Sequence, residues 1–103
     1  MKSAGYRITQ PATRDIDDLL TYIAQDSIPN ALKVYEKLQR QFESLAQMPG
    51  IGHTREELHD DTLRVVSVYS YLIIYEPSTK PVIILRVVHC ARDINNIDPR
   101  PIQ

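Results

Sequence analysis

The sequence contains no tryptophan, one phenylalanine, one cysteine and three glycines in 103 residues. Because Cys90 has no second cysteine to pair with, the chain cannot form an internal disulfide and must fold without one. An excess of positive charge is also absent, since 12 Lys and Arg oppose 13 Asp and Glu. Proteins that grip nucleic-acid backbone usually carry such an excess, so we expect no strong direct nucleic-acid binding.

Long hydrophobic runs are missing as well. No segment approaches the roughly 18 consecutive apolar residues of a membrane-spanning helix, and residues 1–10 lack the apolar centre of a signal peptide. We therefore expect a cytoplasmic protein with no membrane partner. A hydrophobic fraction of 43% and a charged fraction of 24% are ordinary for a globular protein, and residues 1–103 are predicted to form a single domain.

Two segments have the apolar periodicity of amphipathic helices. One runs from Pro11 to Gln25 and the other from Pro29 to Gln47, with a short break between them. Apolar residues recur at spacings of three and four in both, at Ala12, Ile16, Leu19, Leu20 and Ile23 in the first and at Ala31, Val34, Tyr35, Leu38, Phe42 and Leu45 in the second. The short break predicts an antiparallel helical hairpin.

Four segments have the composition of β-strands. They are Tyr6–Thr9, Leu63–Val68, Tyr69–Tyr75 and Val82–His89. The order β-α-α-β-β-β predicts an α+β fold, in which an N-terminal strand and the helical hairpin precede a three-stranded antiparallel sheet. Residues 94–103 are predicted to form a flexible tail.

The last strand ends in a polar cluster. Val82–His89 is apolar enough to be buried on both faces, yet Arg86, His89, Arg92 and Asp93 fall within eight residues at its end. On a regular strand Arg86 would share a face with Ile84 and Val88, so Arg86 and His89 are predicted to point apart.

The order of elements and several local sequences resemble the ParE branch of the RelE/ParE superfamily of bacterial toxins. The resemblance extends from about Tyr6 to Asp93, and its most specific part is Arg86-Val-Val-His-Cys-Ala-Arg-Asp93, which is similar to the family's Arg-Val-Leu-His-Gly-Ala-Arg-Asp. Cys90 replaces the usual glycine, and a positive φ at that position would strain it. We predict a small, buried, unreactive cysteine there.

The resemblance implies the toxin of a type II toxin–antitoxin, or plasmid stabilisation, system. A cognate antitoxin would neutralise it, DNA gyrase would be its target, and an antitoxin-bridged hetero-oligomer would be the expected assembly. Two alternatives stay open. One is a ribosome-dependent mRNA endonuclease of the RelE type, and the other is a non-toxic relative that only binds its partner.

The resemblance and the basic side chains together define candidate sites. The predicted target-binding residues are Arg64, Arg86, His89 and Arg92. If the chain is an endonuclease, Arg64, His89 and Arg92 would be catalytic, with His53 or Glu56 from the preceding loop, because phosphate attack needs cations and a proton carrier. However, the loop His53–Asp61 is acidic, where the RelE type carries lysines.

Each candidate residue also has a structural interpretation. Arg64 and Arg86 could pair with Asp93 or Glu76, and Arg92 could form a local ion pair with Asp93 at the end of the strand. His89 could be a hydrogen-bonded structural residue. Tyr69, Tyr71 and Tyr75 are predicted to pack on the sheet rather than stack on bases. We expect no metal site at His53 and His59, and no cofactor.

The antitoxin is expected to dock a helix across the hairpin. On that basis Ile16, Leu20, Tyr35 and Leu38 are the predicted antitoxin-binding residues.

Overall fold

The computed structural model describes residues 5–98 and residue 100, and it has the predicted order of elements. They are β1 (Tyr6–Ile8), α1 (Gln10–Asp26), α2 (Ile28–Gln47), β2 (Arg64–Val68), β3 (Tyr71–Glu76) and β4 (Val82–His89), with short 3₁₀ turns at Pro49–Ile51, Glu56–Leu58 and Ile94–Asn96. The predicted α+β class is therefore confirmed. Among the described residues, no helix is long and apolar enough to cross a membrane.

Side-chain caps fix the beginning of both helices. The Thr9 hydroxyl accepts a hydrogen bond from the Ala12 amide at 3.2 Å, and the Ser27 hydroxyl accepts one from the Asn30 amide at 3.2 Å. Thr9 is buried and also donates to the carbonyl of Leu85 at 2.9 Å. The start of α1 is thus tied directly to β4.

Within residues 5–98 the sheet has four strands rather than the predicted three. Their order is β1-β4-β3-β2, and β1 lies parallel to β4 with Tyr6 opposite Val82. The sequence identified β1 as a strand but not its partner, because the pairing joins segments about 76 residues apart.

A β-bulge in β4 changes which of its residues share a face. Tyr75 pairs with Ile84, whereas the preceding Ile74 pairs with Arg86, so Leu85 is the extra residue. As a result Ile84 and Val87 both face the helices, although they are three apart. The prediction that Arg86 shares a face with Ile84 is wrong. Arg86 and His89 both follow the bulge and therefore still alternate.

Both faces of the sheet are covered. The helices pack on one face, and the loop residues Leu58 and Leu63 join Ile94 on the other. Ile94 is only 4% exposed, so the predicted tail begins with a residue that belongs to the core. The rest of that tail includes Pro99 and residues 101–103, which lie outside the described residues.

Candidate functional site

The site lies where β4 ends, and a set of short-range hydrogen bonds holds it together. The His89 Nδ1 accepts hydrogen bonds from the amides of Ala91 and Arg92, both at 3.1 Å. The His89 amide donates to Asp93 Oδ2 at 3.0 Å, and the Asp93 amide returns a bond to the His89 carbonyl at 3.1 Å. Because Nδ1 is an acceptor, the proton of the neutral ring is on Nε2.

Arg92 and Asp93 form the local ion pair that the sequence suggested. The guanidinium approaches the carboxylate at 3.3 Å, and the Arg92 side chain is 68% exposed. Burial raises the pKa of Asp93, but the His89 amide and the Arg92 guanidinium outweigh it, so the pKa lies below its usual value. Asp93 therefore stays ionised at neutral pH.

Arg86 is held from a different direction. Asp15 on α1 accepts two hydrogen bonds from its guanidinium, at 2.7 and 2.8 Å, and a third from the Val87 amide at 3.0 Å. The hydrogen bonds to Asp15 raise the pKa of Arg86 further above its ordinary value. The sequence had suggested Asp93 or Glu76 as its partner. Asp15 is the observed partner of Arg86 because β4 extends past β1. The edge of β4 beyond β1 is therefore open, and α1 begins beside it.

Two adjoining cavities open at the end of β4, next to His89 and Arg92. The smaller, about 260 Å³, is lined by Asp15, Asp18 and Asp93 together with His89 and Arg92. The larger, about 590 Å³, extends toward the hairpin and shares His89 and Arg92 with the first. In both, Tyr71 contributes a ring that lies edge-on to His89 at 5.7 Å between centroids. The end of β4 is therefore the concave part of this surface.

The comparison with protein families decides the identity of the fold. Residues 6–94 match the family model described as the ParE toxin of the type II toxin–antitoxin system parDE. The chain belongs to the ParE toxin family. Toxin ParE1 of Caulobacter vibrioides is 33% identical over 85 residues, which are 82% of this chain and 86% of that protein.

A solved structure shares the fold of this ParE toxin. It is described as a chromosomal ParDE toxin–antitoxin system from P. aeruginosa, and it matches with a TM-score of 0.67 at 20% identity. The match covers 84% of this chain and 95% of the solved one. The resemblance stated from the residues alone is thus confirmed at the level of family and fold.

Within the ParE toxin, Arg64 lies away from the other predicted site residues. It pairs with Tyr75 at one end of β3, whereas His89 pairs with Tyr71 at the other end. Tyr71 and Tyr75 are four positions apart on β3, which corresponds to roughly 13 Å along the strand. Arg64 Nη1 instead donates to the carbonyl of Gly52 at 3.2 Å. The three residues of the predicted endonuclease cluster do not form one site.

The loop residues do not complete such a cluster either. The backbone of His53 pairs with Val65 at the edge of β2, and Glu56 begins a 3₁₀ turn; neither lines the two cavities. Within residues 5–98 and residue 100, no group of three or more His, Cys, Asp or Glu could hold a metal ion. Cys90 is half-buried without a positive φ, so replacing the family's glycine causes no strain.

The predicted antitoxin-binding residues divide into buried and accessible ones. Leu38 is 1% exposed and Ile16 is 9% exposed, so both belong to the core and cannot contact a partner directly. Leu20 is half-buried against the same core, and Tyr35 is 42% exposed. Only Tyr35 fully remains as a surface candidate. The helical stripe gave a wrong assignment of antitoxin contacts because residues that face the sheet have the same periodicity.

Four exposed apolar residues, on α2 and around the larger cavity, were not among the predicted contacts. Ile28 and Leu32 are 65% and 58% exposed on α2, and Tyr22 and Tyr69 are 66% and 64% exposed near the larger cavity. For Ile28 and Leu32 a signal existed, since with Tyr35 they recur at i, i+4 and i+7, outside the core stripe. The prediction that Tyr69 packs on the sheet is wrong, whereas Tyr75 is fully buried as expected.

Proposed function

We propose that this ParE toxin inhibits DNA gyrase by protein–protein contact, without an active site of its own, and that a cognate antitoxin neutralises it. The observation that supports contact over RNA cleavage is the pairing of the basic groups. Arg86 is neutralised by Asp15, Arg92 by Asp93, and Arg64 is at the far end of the sheet. A phosphate attacked in the smaller cavity would meet Asp15, Asp18 and Asp93 before it met an unpaired cation.

The hydrogen bonds of the His89 ring also argue against RNA cleavage. A general base needs an unprotonated nitrogen within reach of the hydroxyl that it activates. Nδ1 is occupied by two backbone amides, and Nε2 carries the proton of the neutral ring. His89 is therefore better suited to donate a hydrogen bond to a partner than to accept a proton from RNA.

The antitoxin surface that we propose is the outer flank of α2. Ile28, Leu32 and Tyr35 form an exposed apolar stripe there, and such a stripe accepts a partner helix. This stripe replaces the four antitoxin-binding residues predicted from the sequence, of which only Tyr35 is retained as a contact. Exchanging Leu32 for Asp should abolish neutralisation by the antitoxin without reducing toxicity.

Pulse-labelling of DNA and protein synthesis, minutes after induction without antitoxin, tests the target. A gyrase inhibitor should stop DNA synthesis first, and the purified chain should inhibit supercoiling by purified gyrase. An earlier fall in protein synthesis would favour the mRNA endonuclease instead. Continued growth under full expression would favour the non-toxic relative.

Single substitutions separate contact from catalysis. Arg92→Ala should weaken gyrase inhibition by a moderate factor, whereas a charge-stabilising catalytic group would cost roughly 100-fold or more. Arg64→Ala should affect folding stability and leave inhibition unchanged. Arg40→Ala, an exposed arginine on α2, is the matched control.

A further inference from the structure

The larger cavity is an aromatic groove with one sign of charge. The tyrosine groove, as we name it, is lined by Tyr22, Tyr69 and Tyr71 together with Lys33 and Arg92. Of the residues that the structure describes, no carboxylate lines it, in contrast to the adjoining cavity. Lys33 is exposed and forms no ion pair with any described residue. The groove thus offers aromatic faces and an available positive charge.

Tyr69 is unfavourable for the fold at its position. Val68 pairs with Tyr71, so Tyr69 and Ser70 form a two-residue turn between β2 and β3. Tyr69 has a φ of 54°, in the left-handed region that such turns normally give to Gly or Asn. The residue is 64% exposed and gains little from burial. Folding alone therefore does not account for a tyrosine here, and a strained, exposed aromatic residue points to a contact.

The chemistry of the groove favours a protein segment over a nucleic acid. A peptide can place one carboxylate against Lys33 and apolar side chains against the tyrosine rings. A nucleic acid would bring a continuous phosphate backbone past Asp15, Asp18 and Asp93 in the adjoining cavity, where it would be repelled. Tyrosine and arginine are also the side chains that most often dominate protein–protein binding energy.

We propose that the tyrosine groove receives an acidic, apolar segment of the toxin's target protein, with Tyr69 and Tyr22 as anchors and Lys33 as the charge partner. This inference rests on the proposed function, because it locates the surface that contacts gyrase. It is independent of the antitoxin stripe, since Lys33 lies on the opposite flank of α2 from Ile28 and Leu32.

The decisive variant is Tyr69→Gly. Glycine suits the left-handed backbone, so the melting temperature should stay the same or rise by a few degrees. Inhibition of supercoiling by the purified gyrase tetramer should fall roughly ten-fold or more, as expected for an interface anchor. Tyr69→Asn should behave alike, and Lys33→Glu should weaken inhibition with an unchanged melting temperature.

Met48→Ala is the matched control, because Met48 is 62% exposed at the other end of α2. It should leave inhibition unchanged. Full inhibition of gyrase by Tyr69→Gly would contradict the groove proposal and leave the proposed function intact. A melting temperature so much lower that it explained the loss of inhibition by itself would do the same. If the unaltered chain fails to inhibit gyrase, both proposals fail. If the chain binds a labelled single-stranded RNA and Tyr69→Gly abolishes that binding, the occupant of the groove is a nucleic acid and not a protein segment.

Discussion

The Asp15–Arg86 pair gives the sharpest test of how this fold is stabilised. Asp15→Ala removes three hydrogen-bond acceptor contacts at once, two to the guanidinium and one to the Val87 amide. Breaking one side of a fully buried ion pair costs about 3–5 kcal/mol. Here the two side chains are 22% and 15% exposed, so water partly solvates the abandoned charge. We therefore expect a loss of about 2–3 kcal/mol in the free energy of unfolding.

For a domain of this size that loss corresponds to a fall of about 10–15 °C in melting temperature. Calorimetry or denaturant titration measures it directly. Asp17→Ala is the control, because Asp17 is exposed on the same helix and should change stability by no more than about 0.5 kcal/mol.

A double-mutant cycle distinguishes loss of the pair from other effects of the substitution. Arg86→Met removes the charge, so Asp15→Ala in that background should cost only about 1 kcal/mol, mainly for the Val87 amide. Equal costs in the two backgrounds, or a stability of Asp15→Ala equal to that of Asp17→Ala, would refute the reasoning.

Three further predictions concern the rest of the fold. Tyr75→Phe removes the hydroxyl that accepts from the Gly52 amide at 2.9 Å, and should cost about 1–2 kcal/mol by denaturant titration, whereas an unchanged midpoint would contradict it. Thr9→Val removes a buried cap while keeping the shape, and should lower the free energy of unfolding by about 1–2 kcal/mol with less helical signal on partial melting. The hydroxyl of Thr62 and the guanidinium of Arg100 lower the pKa of Asp60 to about 2, so its contribution to stability is complete above about pH 4 and is lost as the pH falls toward 2. Arg100→Ala should weaken that acid dependence between pH 4 and 2, and an identical acid titration of the two proteins would count against the pairing.

Much of the fold followed from local patterns. The helical hairpin was predicted to within one or two residues, and β4 to the residue, because each amphipathic or buried segment repeats its own burial pattern along the chain. In β3, Ile73 and Tyr75 face the helices and Leu72 and Ile74 face the other core, the alternation expected of a strand. The motif at the end of β4 carried the resemblance to the ParE family, and the family match confirms that family.

The candidate site residues were predicted less accurately than the fold. Burial could be predicted from the helical stripe, but core contacts and partner contacts have the same periodicity, and so Ile16 and Leu38 were assigned to a surface that they do not reach. Arg64 was grouped with His89 because phosphate attack needs cations and a proton carrier, a chemical requirement that says nothing of where the residues lie in the sheet. In the antiparallel sheet they occupy opposite ends, which depends on strand direction and register.

The elements, their order and the absence of a strong basic field follow from the sequence, because each depends on composition or on neighbours within a few residues. The toxin family follows from the order of short motifs along the chain. Tertiary structure alone decided the parallel pairing of β1, the bulge at Leu85, the Asp15–Arg86 pair across 71 residues and the tyrosine groove between the hairpin and the β2–β3 turn. These features join distant segments. Their geometry depends on strand register and helix packing, which no local pattern in the chain encodes.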